Sequence, residues 1–304
     1  GYVQPRVARY LQHLRSALKE AGVSAEPMVT KSNGGVMRAE IGETQCIQML
    51  LSGTASGVVG ANFVANLCGM DNTLSLDIGG TSADVALIRN GAIEYGTGEM
   101  VGEFPIFIPT VAVTSIGAGG GSIAWVDPIG VLQVGPRSAG STPGPACYGR
   151  GGHEATVTDA FAVLGYLGQH PLGYGAIEVD REAASRAVGS VAEQIERTVA
   201  DTAQAIIDIA VSEMYVEVSK LISHHGVDPR EFSLQGFGGA GPMLSCFLAR
   251  ELGMRSVVIP TTPGVLSALG GLVADIRNDF IATVICDVDT DGLAVVGEHY
   301  KRLE

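Results

Sequence analysis

Two carboxylates flank a glycine turn in the run Asp-Ile-Gly-Gly-Thr-Ser-Ala-Asp, which covers residues 77–84. Paired glycines let backbone N–H groups approach an anion without obstruction by side chains, and the two hydroxyls that follow add donors. The carboxylates are ligands that a divalent cation accepts, directly or through water. A tight β-turn without a ligand is the alternative, but the complete string favours a phosphate site. Its predicted donors are Gly79, Gly80, Thr81 and Ser82, and its predicted metal ligands are Asp77 and Asp84.

Strands must hold this turn in place. Residues 74–77 alternate between apolar and polar side chains, which is typical of a half-buried strand, and residues 84–88 form a second β-rich run. Asn90-Gly91 is a strong signal for a type I′ hairpin turn, so a third strand is expected to start near Ala92. The order predicted for residues 73–97 is therefore strand, glycine turn, strand, turn, strand.

A second glycine cluster runs from Gly117 to Ser122, after a strand predicted over residues 111–115. A structural turn needs one or two glycines, whereas this loop has four within five residues. The backbone itself is therefore predicted to be a ligand surface, with a flexible loop as the alternative. The residues assigned to this surface are Gly119, Gly120, Gly121 and Ser122.

Residues 135–152 are too rich in glycine and proline for regular structure and too poor in acidic residues and lysine for an ordinary disordered linker. A loop of this length inside a domain is usually functional. Arg137 and Arg150 are candidate anion contacts, and Cys147 is a weak candidate nucleophile because no adjacent His or helix start activates it. Asp159 precedes a helix predicted over residues 160–167, as either its N-cap or an inward carboxylate.

A third glycine motif follows a strand predicted over residues 232–237. The run Gly-Gly-Ala-Gly-Pro leads into a helix over residues 243–252, and such a unit points a helix N-terminus at a ligand. A Rossmann dinucleotide site needs GxGxxG and a well-placed acidic residue about 20 positions later, and this chain has neither. The predicted ligand contacts are Gly238, Gly239 and Gly241.

Apolar spacing predicts the other elements. The helices are expected over residues 6–21, 44–51, 56–67, 181–189 and 191–225, the last with a break near Asp201, and strands over residues 28–31, 256–259 and 280–287. Helix 56–67 and a further helix over residues 263–272 are rich in small side chains. These two helices would pack closely if they met.

Composition limits the possible partners and compartment. With 46% hydrophobic and 17% charged residues, the 304-residue chain can bury a large core. Its net charge of −13 and its lack of long apolar runs predict neither nucleic acid nor a membrane as a partner. Five dispersed cysteines without a CxxC pair suit reduced thiols and predict a cytoplasmic protein. The start at Gly1 and the final Leu303-Glu304 predict that residues 1–304 were excised from a longer protein, with Leu-Glu as a cloning remnant.

The motifs together resemble the hydantoinase A / 5-oxoprolinase family. The runs that carry the resemblance lie between Tyr2 and Asp279 and read SNGG, DIGGTSADV, GAGGGSIAWVD, VGPRSAGSTPGPACYGRGG, TVTDA and FGGAGP. The resemblance implies an α/β fold, an actin-like ATPase (ribonuclease H-like) lobe with a mixed sheet flanked by helices and a Gly/Pro-rich insertion. It also implies a phosphate-hairpin and Gly-rich loop region over 73–175, and a helical block with an adenosine motif over 181–280.

The same resemblance implies ATP and Mg²⁺ as cofactors. The phosphates would meet the 77–84 hairpin, adenosine would meet the glycines at 238, 239 and 241, and the two small-residue helices would form a hinge between lobes. The implied activity is ATP-dependent hydrolysis of a cyclic amide of the hydantoin, N-methylhydantoin or 5-oxoproline type, by phosphorylation of its carbonyl oxygen. The implied catalytic residues are Asp77, Asp84 and Asp159, the last beside the loops at 119–122 and 137–150.

The resemblance also implies partners, and it has departures. The expected partners are a small cyclic amide, an N-terminal lobe that this chain lacks, and a hydantoinase B-type subunit or domain. The chain reads SGTA at residues 52–55 where the family typically has SGPA, and a His common in the family after FGGAGP is missing here, where residues 242–245 read Pro-Met-Leu-Ser. The alternative functions are the ATP-using subunit of an acetone- or acetophenone-type carboxylase, a nucleotide-binding lobe without catalysis and, less well supported, a sugar kinase.

Overall fold

The computed structural model describes residues 2–101, 104–167, 172–173, 175 and 177–303. Residues 102–103, 168–171, 174 and 176 therefore leave gaps around and within the region predicted over 73–175, and they lie outside the described residues, as do Gly1 and Glu304. The statements below concern the described residues.

The described residues form helices at both ends of the chain, a run of eight strands between residues 73 and 138 and a block of three helices between residues 157 and 225. The helices are α1 (Gln4–Glu20), α2 (Ala39–Thr44), α3 (Ser52–Leu67), α4 (Val157–Val163), α5 (Arg181–Gln194), α6 (Val199–His225), α7 (Gly241–Leu252), α8 (Leu266–Val273) and α9 (Thr290–Leu303). The strands are β1 (Met28–Thr30), β2 (Val36–Arg38), β3 (Thr73–Ile78), β4 (Ala83–Arg89), β5 (Ala92–Ile93), β6 (Tyr95–Val101), β7 (Phe104–Val111), β8 (Thr114–Ile116), β9 (Ser122–Val126), β10 (Leu132–Ser138), β11 (Ser233–Phe237) and β12 (Ser256–Val258).

A mixed sheet forms the centre of the fold, in the order β12-β11-β3-β4-β5, with β8 also pairing with β4. Strands β12, β11 and β3 are parallel, whereas β4 is antiparallel to β3, β5 and β8. The hairpin predicted over 73–97 is thus confirmed for its three strands. Both Asn90 and Gly91 have positive φ, as a type I′ turn requires.

Helices cover both faces of this sheet, because alternate side chains of each strand point to opposite sides. On one face, Val85 and Leu87 join the larger core, which includes residues of α4, α5, α6 and α7. On the other face, Ala86 and Ile88 pack with residues of α3 and α8. The chain is therefore an α/β domain in which the sheet lies between two helical layers.

Helices α3 and α8 cross with almost no space between their backbones. A Cβ added at Gly60 would lie 2.5 Å from the carbonyl oxygen of Leu266, and one added at Gly270 would overlap the carbonyl oxygen of Ser56. Glycine is therefore the residue that lets these backbones touch. The predicted close packing of the two small-residue helices is confirmed.

Two predicted elements are wrong. The helix predicted over 44–51 is only a 3₁₀ turn at Cys46–Met49, and Leu51 adopts a left-handed φ of 58° that separates this turn from α3. The strand predicted over 280–287 has no strand partner among the described residues, and Ile285 is 96% exposed. Its alternating sequence cannot form a strand here because a strand needs a neighbour to satisfy its backbone groups.

The long helical block breaks close to the predicted position. Helix α5 ends at Gln194, and Thr198 caps α6 by accepting a hydrogen bond from the backbone N–H of Asp201 at 3.1 Å. The loop at 135–152 is partly regular, since β10 extends to Ser138 and a 3₁₀ turn covers Ala146–Tyr148. None of the helices in the described part of the chain combines the length and apolarity needed to cross a bilayer.

Candidate functional site

The candidate site lies at the sheet edge where two parallel strands end. Strands β3 and β11 run side by side with Asp77 opposite Phe237, so their carboxyl ends meet at this edge. Strand β4 returns from the same edge with Asp84 directly opposite Asp77. The crevice beyond the carboxyl ends of such strands is where open α/β sheets usually bind ligands. The fold therefore brings together the 77–84 turn and the 238–241 turn, as predicted.

The turn between β3 and β4 presents backbone donors to solvent. Within the described structure, no protein acceptor reaches the amides of Gly80, Thr81 and Ser82, and all three residues are exposed. The amide of Gly79 is used internally, because it donates to the carbonyl oxygen of Ser82 at 2.9 Å. Three free amides with two nearby hydroxyls form a donor set of the kind that binds phosphate.

The glycine loop at 119–122 has a different role from the predicted one. All four residues are buried, and their amides are occupied: Gly120 donates to the carbonyl oxygen of Gly79 at 3.0 Å, and Gly121 to that of Gly80 at 2.7 Å. The amide of Gly119 donates to Ser122 Oγ at 3.0 Å, and that of Ser122 to the carbonyl oxygen of Gly119 at 3.1 Å. The expectation that this backbone binds a ligand is therefore wrong.

The glycines are needed for close packing against the 79–82 turn. A Cβ at Gly119 would lie 2.8 Å from the carbonyl oxygen of Gly79, and one at Gly121 would lie 2.7 Å from that of Gly80. Thr158, at the start of α4, holds the loop from behind by donating both its amide and its hydroxyl to the carbonyl oxygen of Gly120, at 2.8 and 2.7 Å. The 119–122 loop therefore connects α4 to the turn through hydrogen bonds and fixes the position of the turn relative to α4.

Hydroxyl groups hold both carboxylates of the site. Asp84 accepts from Ser115 Oγ at 2.5 Å on Oδ1 and from Thr54 Oγ1 at 3.1 Å on Oδ2. Asp77 accepts from Ser267 Oγ at 3.3 Å on Oδ2. No donor among the described residues reaches Asp77 Oδ1, which leaves this oxygen available to a cation or a water molecule.

Burial raises the pKa of Asp77; the hydrogen bond from Ser267 opposes this increase, and the negative charge of Asp84 adds to it. Two like charges on opposed residues of a hairpin repel each other unless a cation lies between or beside them. The pair therefore favours a cation electrostatically. Within the described chain, no cluster of three or more His, Cys, Asp or Glu side chains is placed to hold a metal, so further ligands would have to come from phosphate or water.

The glycines of the 238–241 turn allow close approach of neighbouring groups and leave backbone accessible, and they offer no side chains to a ligand. Gly238 has a φ of +80°, and a Cβ there would overlap Asp77 Oδ1 and lie 2.6 Å from the carbonyl oxygen of Ile78. Gly239 is exposed and has open space around it, so its backbone can meet a ligand. Gly241 is buried, and a Cβ there would lie 3.3 Å from the carbonyl carbon of Gly236, so this glycine serves helix–strand packing.

Asp159 is the inward carboxylate of the two predicted alternatives and not the N-cap of α4. Thr156, not Asp159, is the N-cap of α4, and the two residues form a reciprocal capping box. Asp159 is 0% exposed and accepts from the amides of Ala146, Cys147 and Thr156 at 3.2, 2.7 and 3.0 Å. These bonds tie the Gly/Pro-rich loop to α4 and leave the carboxylate no exposed oxygen, so the geometry makes Asp159 a structural anchor rather than a ligand of substrate or cation.

Cys147 is not placed for nucleophilic chemistry, whereas the anion contacts predicted for the two arginines of the loop stay predictions. The Cys147 thiol is fully buried, and burial together with the Asp159 carboxylate raises its pKa. Such a thiol is a poor nucleophile. Arg137 forms an ion pair with Glu154, and Arg150 is exposed.

Three hydroxyl residues of the site were not found by sequence reasoning: Thr54, Ser115 and Ser267. Their signal is weak because Ser and Thr are common and the three lie on separate elements. Thr54 alone carried a hint, since it stands where SGPA has proline. Only the fold shows that they converge on two carboxylates.

Comparison with known proteins assigns the family. The hydantoinase/oxoprolinase family matches residues 1–280 of this chain. This chain belongs to that family. The shared region contains every element of the site, from Thr54 to Ser267, so the predicted resemblance is confirmed.

Individual relatives in the family catalyse different reactions. The chain is 38% identical over 292 residues to caprolactamase subunit alpha of Pseudomonas jessenii, a match that covers 96% of this chain and 42% of that protein. It is 32% identical over 308 residues to the acetophenone carboxylase gamma subunit of Aromatoleum aromaticum, with 99% and 42% covered. The crystal structure of the ATP-dependent caprolactamase of P. jessenii superposes with a TM-score of 0.83 at 36% identity, covering 99% of this chain and 44% of that one.

One of these relatives, the caprolactamase of P. jessenii, is described as ATP-dependent. The chain spans less than half the length of the three relatives, and two of them are named as subunits of larger enzymes. Relatives of this chain thus act together with partner subunits and with further parts of their own polypeptides.

Proposed function

We propose that this chain is the nucleotide-binding lobe of an ATP-dependent enzyme that opens a cyclic amide. The observation that carries the proposal is the set of free amides at Gly80, Thr81 and Ser82 beside the Asp77–Asp84 pair. The similarity to a caprolactamase subunit supports the choice of a lactam, hydantoin or 5-oxoproline as substrate class. The actin-like lobe architecture, the adenosine contact at Gly239 and the division of the chain at residues 73–175 and 181–280 are part of the same proposal.

The residues present fit a phosphate group with a divalent cation. Mg²⁺ is usually held by one or two carboxylates together with phosphate oxygens and water, and this site offers two carboxylates and no larger acidic cluster in its described part. Asp77 Oδ1 is the oxygen that would bind the cation. Asp84, whose two oxygens already accept hydroxyl hydrogens, would bind through its remaining lone pairs or through water.

The chain's own groups then have separate tasks. When bound, ATP supplies a phosphoryl group that converts the poorly electrophilic amide carbonyl into one that water can attack. The three free amides and the hydroxyls of Thr81 and Ser82 bind phosphate oxygens and keep them oriented. Asp77 and Asp84 would hold the divalent cation, whose positive charge offsets the negative charge of the phosphoryl group. The 119–122 loop keeps the turn rigid, so the donors need not reorganise as charge develops.

The substrate pocket and partner surfaces belong to the rest of the proposal. We assign the lactam-binding groups to an N-terminal lobe and to a hydantoinase B-type subunit or domain, because relatives are more than twice as long and include named subunits. The second candidate function is that of an ATP-using carboxylase subunit, which the match to the acetophenone carboxylase gamma subunit favours. The phosphate site would be the same in both enzymes.

Calorimetric titration of Mg²⁺-ADP into this chain tests the proposed site. We expect a Kd in the micromolar range and a loss of affinity of about 100-fold in Asp77→Asn, because the free cation ligand is removed. Asp71→Asn, which neutralises an exposed carboxylate six residues earlier, is the matched control. Equal affinities in wild type and Asp77→Asn would refute the site.

Product analysis separates the two candidate reactions. In the assembled enzyme, a cyclic amidase converts ATP, lactam and two water molecules to ADP, phosphate and a ring-opened amino acid. A carboxylase instead incorporates labelled bicarbonate into a ketone. Nucleotide binding by the assembled enzyme without turnover of either substrate would favour the non-catalytic alternative.

A further inference from the structure

Each of the two carboxylates at the site is held by a different helix of the crossing pair. Thr54 lies in the first turn of α3 and donates to Asp84 Oδ2 at 3.1 Å. Ser267 lies in the first turn of α8 and donates to Asp77 Oδ2 at 3.3 Å. The two carboxylates belong to one hairpin, whereas their hydroxyl partners lie 213 residues apart in the chain.

The crossing of the helices fixes where these hydroxyls lie. At the crossing point, the backbones of α3 and α8 are in contact at Gly60 and Gly270, so neither helix can slide without an overlap. Thr54 is β-branched and has few accessible rotamers in a helix. The hydroxyls are therefore placed by rigid backbone packing and not by flexible side chains.

Such donors matter most when they act on ligands of a cation. Hydrogen bonds that orient a metal-binding carboxylate usually change metal affinity by about 10- to 100-fold when they are removed. Without them, Asp77 would have no hydroxyl donor among the described residues and Asp84 would keep only that of Ser115, so both carboxylates would be less firmly oriented before a cation binds.

We propose that Thr54 and Ser267 are positioning residues of the cation site, each orienting one carboxylate from one helix of the crossing pair. The inference rests on the proposed function, because it assigns these hydroxyls to the same cation site. The contact of Thr54 distinguishes this chain from the SGPA pattern, in which proline at that position has no hydroxyl.

The test measures the affinity of the protein for Mn²⁺ in the presence of ADP. The concentration of free Mn²⁺ is read from its electron paramagnetic resonance signal. We expect Thr54→Val and Ser267→Ala each to weaken binding about tenfold, whereas Thr54→Ser, which keeps the hydroxyl, retains most of the affinity. Thr54→Pro should behave like Thr54→Val, since proline is tolerated in the first turn of a helix and the Thr54 amide has no acceptor among the described residues. Ser212→Ala, which removes an exposed hydroxyl of α6, should leave binding unchanged.

The outcomes separate this inference from the proposed function. If the wild-type chain does not bind Mn²⁺-ADP, both are refuted. If it binds and Thr54→Val, Thr54→Pro and Ser267→Ala bind equally well, only the positioning role is refuted. Thermal unfolding without metal checks each variant, and if Thr54→Val does not fold, the comparison of Thr54→Ser with Thr54→Pro decides the question: equal affinities refute the role of Thr54, and a tenfold difference supports it.

Discussion

The close crossing of α3 and α8 predicts opposite effects on stability for alanine at two glycines. Gly270→Ala should lower the free energy of unfolding, whereas Gly53→Ala should leave it unchanged or raise it slightly. Replacement of Gly270 by Ala adds a methyl group that overlaps the carbonyl oxygen of Ser56 and lies 2.7 Å from its carbonyl carbon. An ordinary carbon–carbon contact is about 3.5 Å, so clearing the carbonyl carbon alone requires the helices to separate by about 0.8 Å, and clearing the overlapped oxygen requires more. Because the obstructing atoms are backbone, no side-chain rotation relieves the overlap.

The magnitude follows from two opposed terms. Alanine is favoured over glycine in a helix interior by about 1 kcal/mol. Overpacking in a close-packed core usually costs about 1–3 kcal/mol, and rigid backbone on both sides places this case at or above the upper end. Gly270→Ala is therefore expected to lower the free energy of unfolding by about 2 kcal/mol. Gly53→Ala in the first turn of α3, where nothing lies within 4 Å of the added Cβ, is expected to be neutral or slightly stabilising.

Urea unfolding of the three proteins, followed by circular dichroism, measures the difference. The expected result is a lower midpoint for Gly270→Ala and an unchanged or higher midpoint for Gly53→Ala, with similar m values for all three. A Gly270→Ala protein as stable as Gly53→Ala would show that the helices can move apart freely. It would also remove the basis for rigid placement of the Thr54 and Ser267 hydroxyls.

Two further predictions concern the supports of the site. Gly119→Ala should weaken Mg²⁺-ADP binding in calorimetry although residue 119 does not contact the ligand, because the new Cβ would lie only 2.8 Å from the carbonyl oxygen of Gly79 and displace it. Gly117→Ala, which has nothing within 4 Å of the added Cβ, should bind like wild type. An equal loss of affinity in both variants would contradict the role of the 119–122 loop in holding the turn. Asp159→Asn should lower the free energy of unfolding by about 3 kcal/mol, since it weakens several buried charge-assisted hydrogen bonds. The equivalent change at Asp201, which is exposed and accepts a hydrogen bond from the hydroxyl of Thr198, the N-cap of α6, should cost about 1 kcal/mol or less. In thiol titrations of the native protein near pH 8, Cys147 should not react in wild type but should react in Asp159→Asn, while the exposed Cys68 and Cys246 react in both; early reaction of Cys147 in wild type would contradict its buried, raised-pKa state.

Local signals were sufficient for the elements that form by themselves. The 73–97 hairpin was predictable because period-two alternation and an Asn-Gly turn specify strand and turn from neighbouring residues alone. The break between α5 and α6 was predictable for a similar reason, since Thr198 and Asp201 form a cap within four residues. The strand predicted over 280–287 was wrong because pairing depends on a partner strand that the local sequence does not reveal.

A sequence does not show whether a glycine faces a ligand or packs against other backbone. Glycine is required both where backbone approaches a ligand and where backbone approaches backbone, and its identity does not distinguish the two. Gly80 and Gly239 are exposed, whereas the 119–121 glycines are buried against the turn that Gly80 belongs to. Asp159 is ambiguous in a similar way, because an aspartate can bind a ligand or anchor a loop. Its capping box and its buried hydrogen bonds show that it anchors the loop.

The sequence by itself determined the strands of the 73–97 hairpin, the turn that carries the donors, the two carboxylates and the membership of a family, because these depend on residues close together in the chain or on motifs quoted whole. The tertiary structure alone decided which glycines face a ligand, that Asp159 is an anchor, and that hydroxyls from α3, β8 and α8 converge on Asp77 and Asp84. The physical reason is that hydrogen bonds and close packing between residues distant in the chain depend on how the helices cross and how the strands are ordered, and no local pattern encodes either.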